Sequence, residues 1–561
     1  MNKNRNKKEI YAYILFVVIF FMFCLLQISK PILSDQTYFA WAAHSILKTG
    51  SSYFNMEGYG FGQISGFAHP PLYLYLLVLS SKIFGYNLFG LKIVSIFFAI
   101  LTSLVLFIYL KKIYPEKKGI GLIASIIYLL HPFVIQNSII LDIDGGILSF
   151  FTIWTVLYFI KNKMNKFIPF VVLLFFVFIT KLTSIIILFL TFFLFIIFFQ
   201  SGKIRKTFRL TSIFLVAGLI FILIFWVLTL IVHENFFKPF SQNTTEKFSQ
   251  RFMEGLFESF ARSLYSFKDF IIWLTPPLAL YLFFVFLRFG KRTLNRRKDE
   301  REQILILFIL SNFLFFCLTG VEYIGFAKHY ILIVPALAIL IAKDIIEYKN
   351  KISKIEFLLI PIIMLTTINY YFFIIKDPFF TPDVWMVYQN FDYSAIWAVL
   401  IKIILIILPI FFIYLILKDI KKSLIIASLS FIAYASVFTA VSTYSTNIHY
   451  GDYGLNDAVS YVENLTEGKN STIIGLYQFS YVYNKGGDLS EINNNAYMYP
   501  SGNYYLYGED FFNKIKITPN NTYLIIYPQD KYRRPGIKEH LEKNFTLVKQ
   551  IGYYQIYKYN Y

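Results

Sequence analysis

Long apolar runs alternate with short polar segments along most of the chain. A transmembrane helix needs about 20 mostly apolar residues. Runs of suitable length occur near 11–28, 88–110, 119–136, 147–160, 167–181, 184–200, 210–232, 270–287, 304–319, 330–342, 355–375, 397–417 and 423–443. The pattern predicts an all-α polytopic membrane domain of about thirteen transmembrane helices.

The first run follows the basic start MNKNRNKKEI, which is also typical of a cleaved signal peptide. Because the run is long and no small-residue cleavage site follows it, we interpret it as a transmembrane helix that starts in the cytoplasm.

Basic segments between the runs support this count. If the spans alternate from a cytoplasmic N-terminus, the inner segments are 111–118, 161–166, 203–209, 288–301, 343–354 and 418–422, and each is rich in Lys or Arg. The short outer segments around Asp142, Glu322 and 377–392 have almost no basic residues. The positive-inside rule therefore predicts a cytoplasmic N-terminus and an outer C-terminus in a plasma membrane, or a lumenal C-terminus in an endoplasmic reticulum.

The apolar stretch 72–84 is not counted as a transmembrane helix. It has only about 13 residues, and counting it as a span would invert every later basic segment. We expect an interfacial helix over 70–84, within a first outer loop that extends over 30–87.

The sequence becomes polar after the last predicted transmembrane helix. Residues 445–561 are polar, with strand-like runs at 471–477, 522–527 and 546–557 and helical patterns at 456–465 and 537–543. This predicts a small extracytoplasmic α/β domain over 445–561, after a transmembrane domain over 1–444.

Composition narrows the class of protein. Of the 561 residues, 57% are hydrophobic and only 15% are charged, which excludes a soluble multidomain enzyme. The net charge of +20 would suggest nucleic acid in a soluble protein, but the basic residues mark cytoplasmic loops, so the expected partner is the bilayer. The two cysteines exclude a disulfide framework and a cysteine-based zinc site. No organic cofactor is expected.

Ionisable residues close to a membrane core are costly and therefore indicate function. Five polar pieces lie at the predicted outer ends of the spans: Ser34-Asp35-Gln36-Thr37-Tyr38, His69-Pro70-Pro71-Leu72-Tyr73, Leu141-Asp142-Ile143-Asp144-Gly145-Gly146, Thr180-Lys181-Leu182-Thr183, and Lys328-His329-Tyr330 followed by Pro335.

Together these pieces resemble the GT-C superfamily of integral-membrane glycosyltransferases. The nearest family is glycosyltransferase family 39, with its protein O-mannosyltransferases and aminoarabinose-transferase relatives. That family has an Asp-Glu pair after the first span, a basic residue before Pro-Pro-Leu, an Asp in the second outer loop and a late basic-Tyr-x-x-x-x-Pro pattern. The resemblance covers essentially the whole chain.

Two motifs of the superfamily are absent from this sequence. The family pair is Asp-Glu, whereas this chain has Asp35-Gln36, so the second acid is absent. Oligosaccharyltransferases of the superfamily carry a Trp-Trp-Asp motif in the C-terminal domain, and none of the six tryptophans here is adjacent to another, which disfavours that branch.

The resemblance implies an inverting transferase. It would move a hexosyl or pentosyl unit from a polyprenyl-phosphate donor to a hydroxyl of a protein, lipid or glycan on the outer face. Such a reaction needs a base for the acceptor proton and positive charge at the departing phosphate, around an oxocarbenium-like transition state. Asp35 suits the catalytic base; the alternative is a solvated Asp flanking a helix.

Each of the other candidate residues has either a functional or a structural role. Asp142 and Asp144 either bind a divalent metal ion or donor hydroxyls, or form a turn or helix cap. His69 either contacts phosphate or acceptor, or supports the Pro-Pro turn. Lys181 and Lys328 either bind the lipid phosphate or are interfacial lysines. His329 and Tyr330 are candidate substrate-binding residues, although Tyr is common at membrane interfaces.

Two other functions are compatible with a protein that has many transmembrane helices. A transporter or flippase of lipid-linked sugars predicts ionisable residues near the bilayer midplane and paired broken helices, but here the candidate groups collect at one face. A glycan polymerase or ligase of another helical family would also work at that face.

Overall fold

The structure is a computed structural model. It describes residues 2–26, 28, 32, 35–51, 53–55, 63–65, 71–162, 165–200, 202–232, 286, 289–290, 299–319, 331–348, 454–475, 479, 482–483, 496–498, 521–526, 537–552 and 554–560.

Twelve helices are described before the C-terminal region. They are α1 (Asn2–Leu26), α2 (Asp35–Thr49), α3 (Leu72–Phe84), α4 (Leu88–Ile113), α5 (Ile120–Leu129), α6 (Pro132–Ser138), α7 (Gly146–Asn162), α8 (Phe167–Phe178), α9 (Leu182–Phe199), α10 (Lys203–Val232), α11 (Glu300–Thr319) and α12 (Val334–Tyr348). Among the described residues, four helices are long and apolar enough to cross a membrane: Lys7–Leu26, Leu88–Ile113, Leu182–Phe199 and Lys203–Ile231.

The predicted spans in the described ranges correspond to helices, with three differences. Residues 343–348, predicted as part of an inner loop, are the last turns of α12. The run 119–136 is two helices, because Pro132 lacks an amide hydrogen and its ring excludes a continuous helix through His131. The basic segment 203–209 is the start of α10 rather than a loop, since Lys and Arg are good helix formers. The runs 270–287, 355–375, 397–417 and 423–443 and the domain boundary near 444 lie outside the described helices, so about thirteen spans stays a prediction.

Helix α3 has the length expected of an interfacial helix, and its location at the membrane interface stays a prediction. Its 13 residues extend about 20 Å, short of the roughly 30 Å of a hydrocarbon core. At its start, the Leu72 amide donates to the Ile179 carbonyl at the end of α8, over 3.4 Å. Near its end, the Ser80 hydroxyl donates to the Gly90 carbonyl in the first turn of α4, over 2.5 Å. Both ends of α3 therefore contact the same end of the bundle. A short antiparallel pair, β1 (Tyr53–Asn55) and β2 (Gln63–Ser65), precedes it.

A cluster of ion pairs lies at the opposite end of α4. It joins three of the segments that the charge pattern places on the inner side. Lys343 lies 2.8 Å from Asp299 and 3.0 Å from Glu302, and Lys117 pairs with Glu347. We call this set the inner-end cluster. The three segments share one end of the bundle, as the alternating span count requires; which side of the membrane that end faces stays a prediction.

The helices pack through small residues and buried hydroxyl groups. A Cβ added at Gly121 would lie 2.5 Å from the Phe107 carbonyl oxygen, so α5 approaches α4 at backbone distance. The Tyr13 and Ser103 hydroxyls hydrogen-bond over 2.9 Å between α1 and α4. Such contacts are typical of membrane helices, because burial from lipid gives little hydrophobic gain.

The C-terminal region is an α/β unit, as the sequence predicts. A five-stranded sheet has the order β4 (Ala496–Met498), β3 (Thr472–Gly475), β5 (Thr522–Ile526), β7 (Tyr554–Tyr559), β6 (Phe545–Ile551), accompanied by helices α13 (Leu455–Thr466) and α14 (Ile537–Asn544). Strand β3 is parallel to β4 and β5, while β7 is antiparallel to β5 and β6.

Two features of this sheet differ from the sequence analysis. The single strand predicted over 546–557 is a hairpin that turns at Gly552, whose φ is 54°. Strand β4 was not predicted, because its flanking sequence is polar. Val482 packs against both this core and that of the membrane helices.

Candidate functional site

The loop between α6 and α7, predicted as the second outer loop, is a tight, buried turn. The Asp142 carboxylate accepts the backbone amide of Asp144 over 3.0 Å, and the Gly145 amide donates to the Asp142 carbonyl over 3.3 Å. This is an Asx-type turn, in which an Asp side chain accepts the backbone amide two residues further on. Only 5% of Asp142 and 4% of Asp144 is exposed.

Close packing against α4 fixes this turn. A Cβ added at Gly146 would lie 2.4 Å from the Ser95 carbonyl oxygen and 2.7 Å from the Ala99 nitrogen. No larger residue fits there unless α4 and α7 separate. The Gly145-Gly146 pair therefore lets the backbone of α7 begin directly against α4.

Asp144 forms an ion pair with Lys181. The Lys181 ammonium donates to the Asp144 carboxylate over 2.5 Å, with side-chain exposures of 12% and 5%. Lys181 has an extended backbone and precedes α9 directly. A buried carboxylate is stable only when paired, so the pair ties the second outer loop to the junction of α8 and α9.

Gln36 connects the same loop to α2. Its side-chain oxygen accepts the backbone amide of Leu141 over 3.2 Å. Gln36 is the second residue of α2 and directly follows Asp35. The start of α2 therefore lies against the residue that leads into Asp142.

The interfacial helix also reaches this loop. The Ser95 hydroxyl donates to the Ile140 carbonyl over 3.3 Å and hydrogen-bonds the Tyr73 hydroxyl over 3.3 Å. Tyr73 lies in the first turn of α3 and is fully buried. The loop over 140–144 is thus held by side chains of α2, of α4 and of the α8–α9 junction, and Tyr73 of α3 supports it through Ser95.

The described residues include three of the candidates, and the structure brings them together: Asp142, Asp144 and Lys181 form one connected cluster. Asp35 begins α2, but its side chain lies outside the description. His69, Lys328, His329 and Tyr330 also lie outside it, so their roles stay predictions.

The sequence analysis missed three members of the cluster. It named Gln36 only as a departure from the family pair, and it assigned no role to Tyr73 or Ser95. Tyr73 follows the His69-Pro70-Pro71-Leu72 motif, which was an available signal. Ser95 is one of many hydroxyl residues in apolar helices, and no sequence feature distinguishes it.

The two aspartates offer a poor site for a divalent ion. One oxygen of Asp142 accepts a backbone amide, and one oxygen of Asp144 binds Lys181. Within the described ranges, no group of three or more His, Cys, Asp or Glu residues could hold a metal. The lysine thus supplies the positive charge that a metal would bring to Asp144. The metal site stays a prediction that this geometry does not favour.

Comparison with known proteins agrees with the motifs. Residues 68–230 match the family model of dolichyl-phosphate-mannose-protein mannosyltransferases. ArnT from Cupriavidus metallidurans, solved with bound undecaprenyl phosphate, is 12% identical and has a TM-score of 0.62 over 97% of each chain. Archaeal oligosaccharyltransferase AglB from Archaeoglobus fulgidus, solved with an inhibitory peptide and a dolichol-phosphate, is 11% identical. Its TM-score is 0.50, over 99% of this chain and 74% of AglB. No curated protein matches the sequence.

These similarities confirm the predicted resemblance to GT-C membrane glycosyltransferases and to the mannosyltransferase-like family. At 11–12% identity the structural matches establish the fold. The family match includes Asp142, Asp144 and Lys181, and ends within α10.

Proposed function

We propose that this protein is an integral-membrane inverting glycosyltransferase. It moves a hexosyl or pentosyl unit from a polyprenyl-phosphate donor to an acceptor hydroxyl on the outer face of the membrane. The match to a mannosyltransferase family model supports this proposal, as do the similar folds of two proteins solved with polyprenyl phosphates. The acceptor is a hydroxyl of a protein, a lipid or a glycan.

One observation carries the proposal: three family motif pieces, far apart in sequence, meet at one end of the bundle. Gln36 contacts Leu141, and Asp144 contacts Lys181. The backbone of Asp35 therefore lies next to a loop that contains two aspartates, one of which is paired with Lys181. Charged groups gathered at one end of a membrane bundle are expected for transfer chemistry at that interface, rather than for a transport path near the midplane.

In the reaction, Asp35 is the base. The acceptor hydroxyl gives its proton to the Asp35 carboxylate, and its oxygen attacks the anomeric carbon from the face opposite the phosphate. The bond between that carbon and the phosphate oxygen breaks, and the lipid phosphate leaves with the electron pair. Lys181, Lys328 or His69 stabilises the negative charge that develops on it.

The ion pair gives Asp144 and Lys181 a joint role. The ion pair with Asp144 fixes the orientation of the Lys181 ammonium, whose remaining N–H donors are directed to a phosphate in this proposal. Asp142 shapes the turn that presents Asp144. His329 and Tyr330 complete the proposed substrate contacts.

The proposed topology follows the charge pattern. The N-terminus and the inner-end cluster lie in the cytoplasm, and the α/β domain lies outside, where acceptors are available. In a bacterium this membrane is the plasma membrane, and in a eukaryote the outer side is the lumen of the endoplasmic reticulum.

Transfer by the full chain in nanodiscs tests the proposal. The donors are undecaprenyl-phosphate mannose and undecaprenyl-phosphate aminoarabinose. The acceptor is the envelope fraction of cells of the source organism from which this protein has been deleted. Wild type should release undecaprenyl phosphate and transfer the sugar, whereas Asp35→Asn should be about 10²–10⁴-fold slower. Asp35→Asn keeps the size of the side chain but cannot accept the proton.

Three results would contradict the proposal. In the first, a folded Asp35→Asn variant transfers within threefold of wild type, and Asp142 or Asp144 then becomes the leading candidate for the base. In the second, sugar lipid crosses the bilayer without transfer, as a flippase predicts. In the third, chain growth requires diphosphate-linked oligosaccharides, as for a polymerase or ligase.

A further inference from the structure

Gln36 makes a contact that the proposed chemistry does not use. Its side-chain oxygen accepts the Leu141 amide, although the two residues are 105 positions apart. Leu141 is fully buried. A buried backbone amide without an acceptor is costly, so Gln36 stabilises the path of the chain at this point.

The contact is the first link of a series across the site. Leu141 leads into Asp142, whose carboxylate accepts the Asp144 amide over 3.0 Å. Asp144 in turn binds Lys181 over 2.5 Å. A displacement of the Leu141 backbone would therefore move both carboxylates relative to the start of α2.

We propose that Gln36 is a positioning residue. By accepting the Leu141 amide, it sets the separation between Asp35 on α2 and the Asp142–Asp144 turn. Its effect on catalysis rests on the proposed function, whereas its effect on the loop does not.

This role accounts for the departure from the Asp-Glu pair of the resembling family. Glutamate and glutamine have the same length, and both place an acceptor oxygen at the same distance from the backbone. The Leu141 amide needs an acceptor and not a charge. Glutamine therefore preserves the contact without adding a carboxylate beside Asp142 and Asp144.

Hydrogen exchange of the full chain in nanodiscs tests the contact directly. Gln36→Met keeps the length of the side chain and removes the acceptor, whereas Gln36→Glu retains one. Gln200→Met is a matched control, because Gln200 contacts Glu300 and Lys206 on other helices. Peptides covering residues 139–146 should exchange about fivefold faster or more in Gln36→Met, as expected for one lost hydrogen bond. In Gln36→Glu and Gln200→Met they should exchange at the wild-type rate.

Turnover with the undecaprenyl-phosphate sugars tests the catalytic consequence. Gln36→Met should lower kcat by about tenfold or more with KM for the donor changed less than threefold, because misaligned groups slow the chemical step. Gln36→Glu should restore kcat to within threefold of wild type. This rescue distinguishes positioning from a general loss of stability. A merely structural defect would lower the active fraction whether or not the side chain at position 36 can accept a hydrogen bond.

Two results would overturn the inference. Unchanged exchange of residues 139–146 in Gln36→Met would show that Gln36 does not hold the loop, whatever the activity. Faster exchange with kcat within threefold of wild type would show that the contact does not position catalytic groups. If wild type transfers no hexosyl or pentosyl unit from any polyprenyl-phosphate donor, the proposed function fails, and the exchange experiment still decides whether Gln36 holds the loop.

Discussion

The Lys181 ammonium lies 2.5 Å from the Asp144 carboxylate, and this ion pair joins two helix connections across 37 residues of sequence. Both side chains are largely buried, with exposures of 12% and 5%. At such a site, one partner without the other leaves an uncompensated charge. The pair therefore couples the stability of this end of the bundle to the arrangement of the proposed site.

Substitutions at this pair should separate stability from activity. Lys181→Met alone should destabilise the protein by about 3–5 kcal/mol, because the buried Asp144 carboxylate loses its cationic partner. The double variant Lys181→Met with Asp144→Asn should recover most of the thermal stability and still transfer sugar slowly. Thermal unfolding in detergent and single-turnover transfer would measure the two effects. Full activity of the stable double variant would exclude both residues from the chemistry.

Metal removal should leave transfer intact. The carboxylates of Asp142 and Asp144 are engaged by a backbone amide and by Lys181. We therefore expect sugar transfer after dialysis against EDTA to remain within twofold of the untreated rate. Add-back of Mg²⁺ or Mn²⁺ serves as the control. Activity that disappears with EDTA and returns with one of these ions would establish the metal site instead.

Gly146→Ala should be strongly destabilising. The added methyl group would lie 2.4 Å from the Ser95 carbonyl oxygen, and backbone atoms of α4 cannot move aside singly. Overpacking of this kind typically costs about 1–3 kcal/mol. Gly218→Ala is the matched control, because its nearest neighbour would be the Phe178 ring at 3.4 Å. Equal melting temperatures for the two variants would argue against the close packing of α7 on α4.

Asp299 in the inner-end cluster should stabilise the protein uniformly across neutral pH. Burial alone would raise the pKa of its carboxyl, but Lys343 and Arg301 outweigh burial and hold the pKa at about 2. In an unfolded chain Asp titrates near 3.9. The stabilisation is therefore complete above about pH 4 and is lost as the pH falls from about 4 to 2.

The measurement is the melting temperature of Asp299→Asn from pH 5 to pH 8. It should lie below that of wild type by a constant amount across this range. Glu116→Gln is the control, because this half-exposed side chain makes only a surface pair with Arg301, worth about 0–1 kcal/mol. A difference for Asp299→Asn that grows or shrinks between pH 5 and pH 8 would contradict the assigned pKa.

Cysteine labelling should show that α3 does not cross the membrane. Lys48 lies in the last turn of α2 and Lys82 in the last turn of α3, and both are exposed. Lys48→Cys and Lys82→Cys should react with an impermeant maleimide in intact cells, as should Lys469→Cys in the α/β unit. Lys118→Cys, near the inner-end cluster, should react only after lysis. Opposite sidedness of positions 48 and 82 would reject the span count.

Much of the architecture could be predicted from local sequence. The apolar runs predicted α4, α7 and α9 to within about three residues, and the short apolar stretch predicted to end at Phe84 forms α3. These elements follow from apolar length and periodicity, which short windows of sequence contain. The charge pattern likewise grouped the inner segments that the inner-end cluster joins. The sequence also singled out Asp142, Asp144 and Lys181, because ionisable residues are rare beside apolar spans.

Only the tertiary structure decided how those residues combine. Neither the partner of Lys181 nor the contact between Gln36 and Leu141 is encoded in local pattern, since each depends on how distant helices pack. The close approach of Gly146 to Ser95 packs the loop against α4, and Gln36 joins the loop to the start of α2. In this buried setting Lys181 is the partner of the Asp144 carboxylate. Sequence thus determines which side chains lie near the membrane surface, whereas packing determines which of them share a charge, because electrostatic pairing follows from distance and burial in three dimensions.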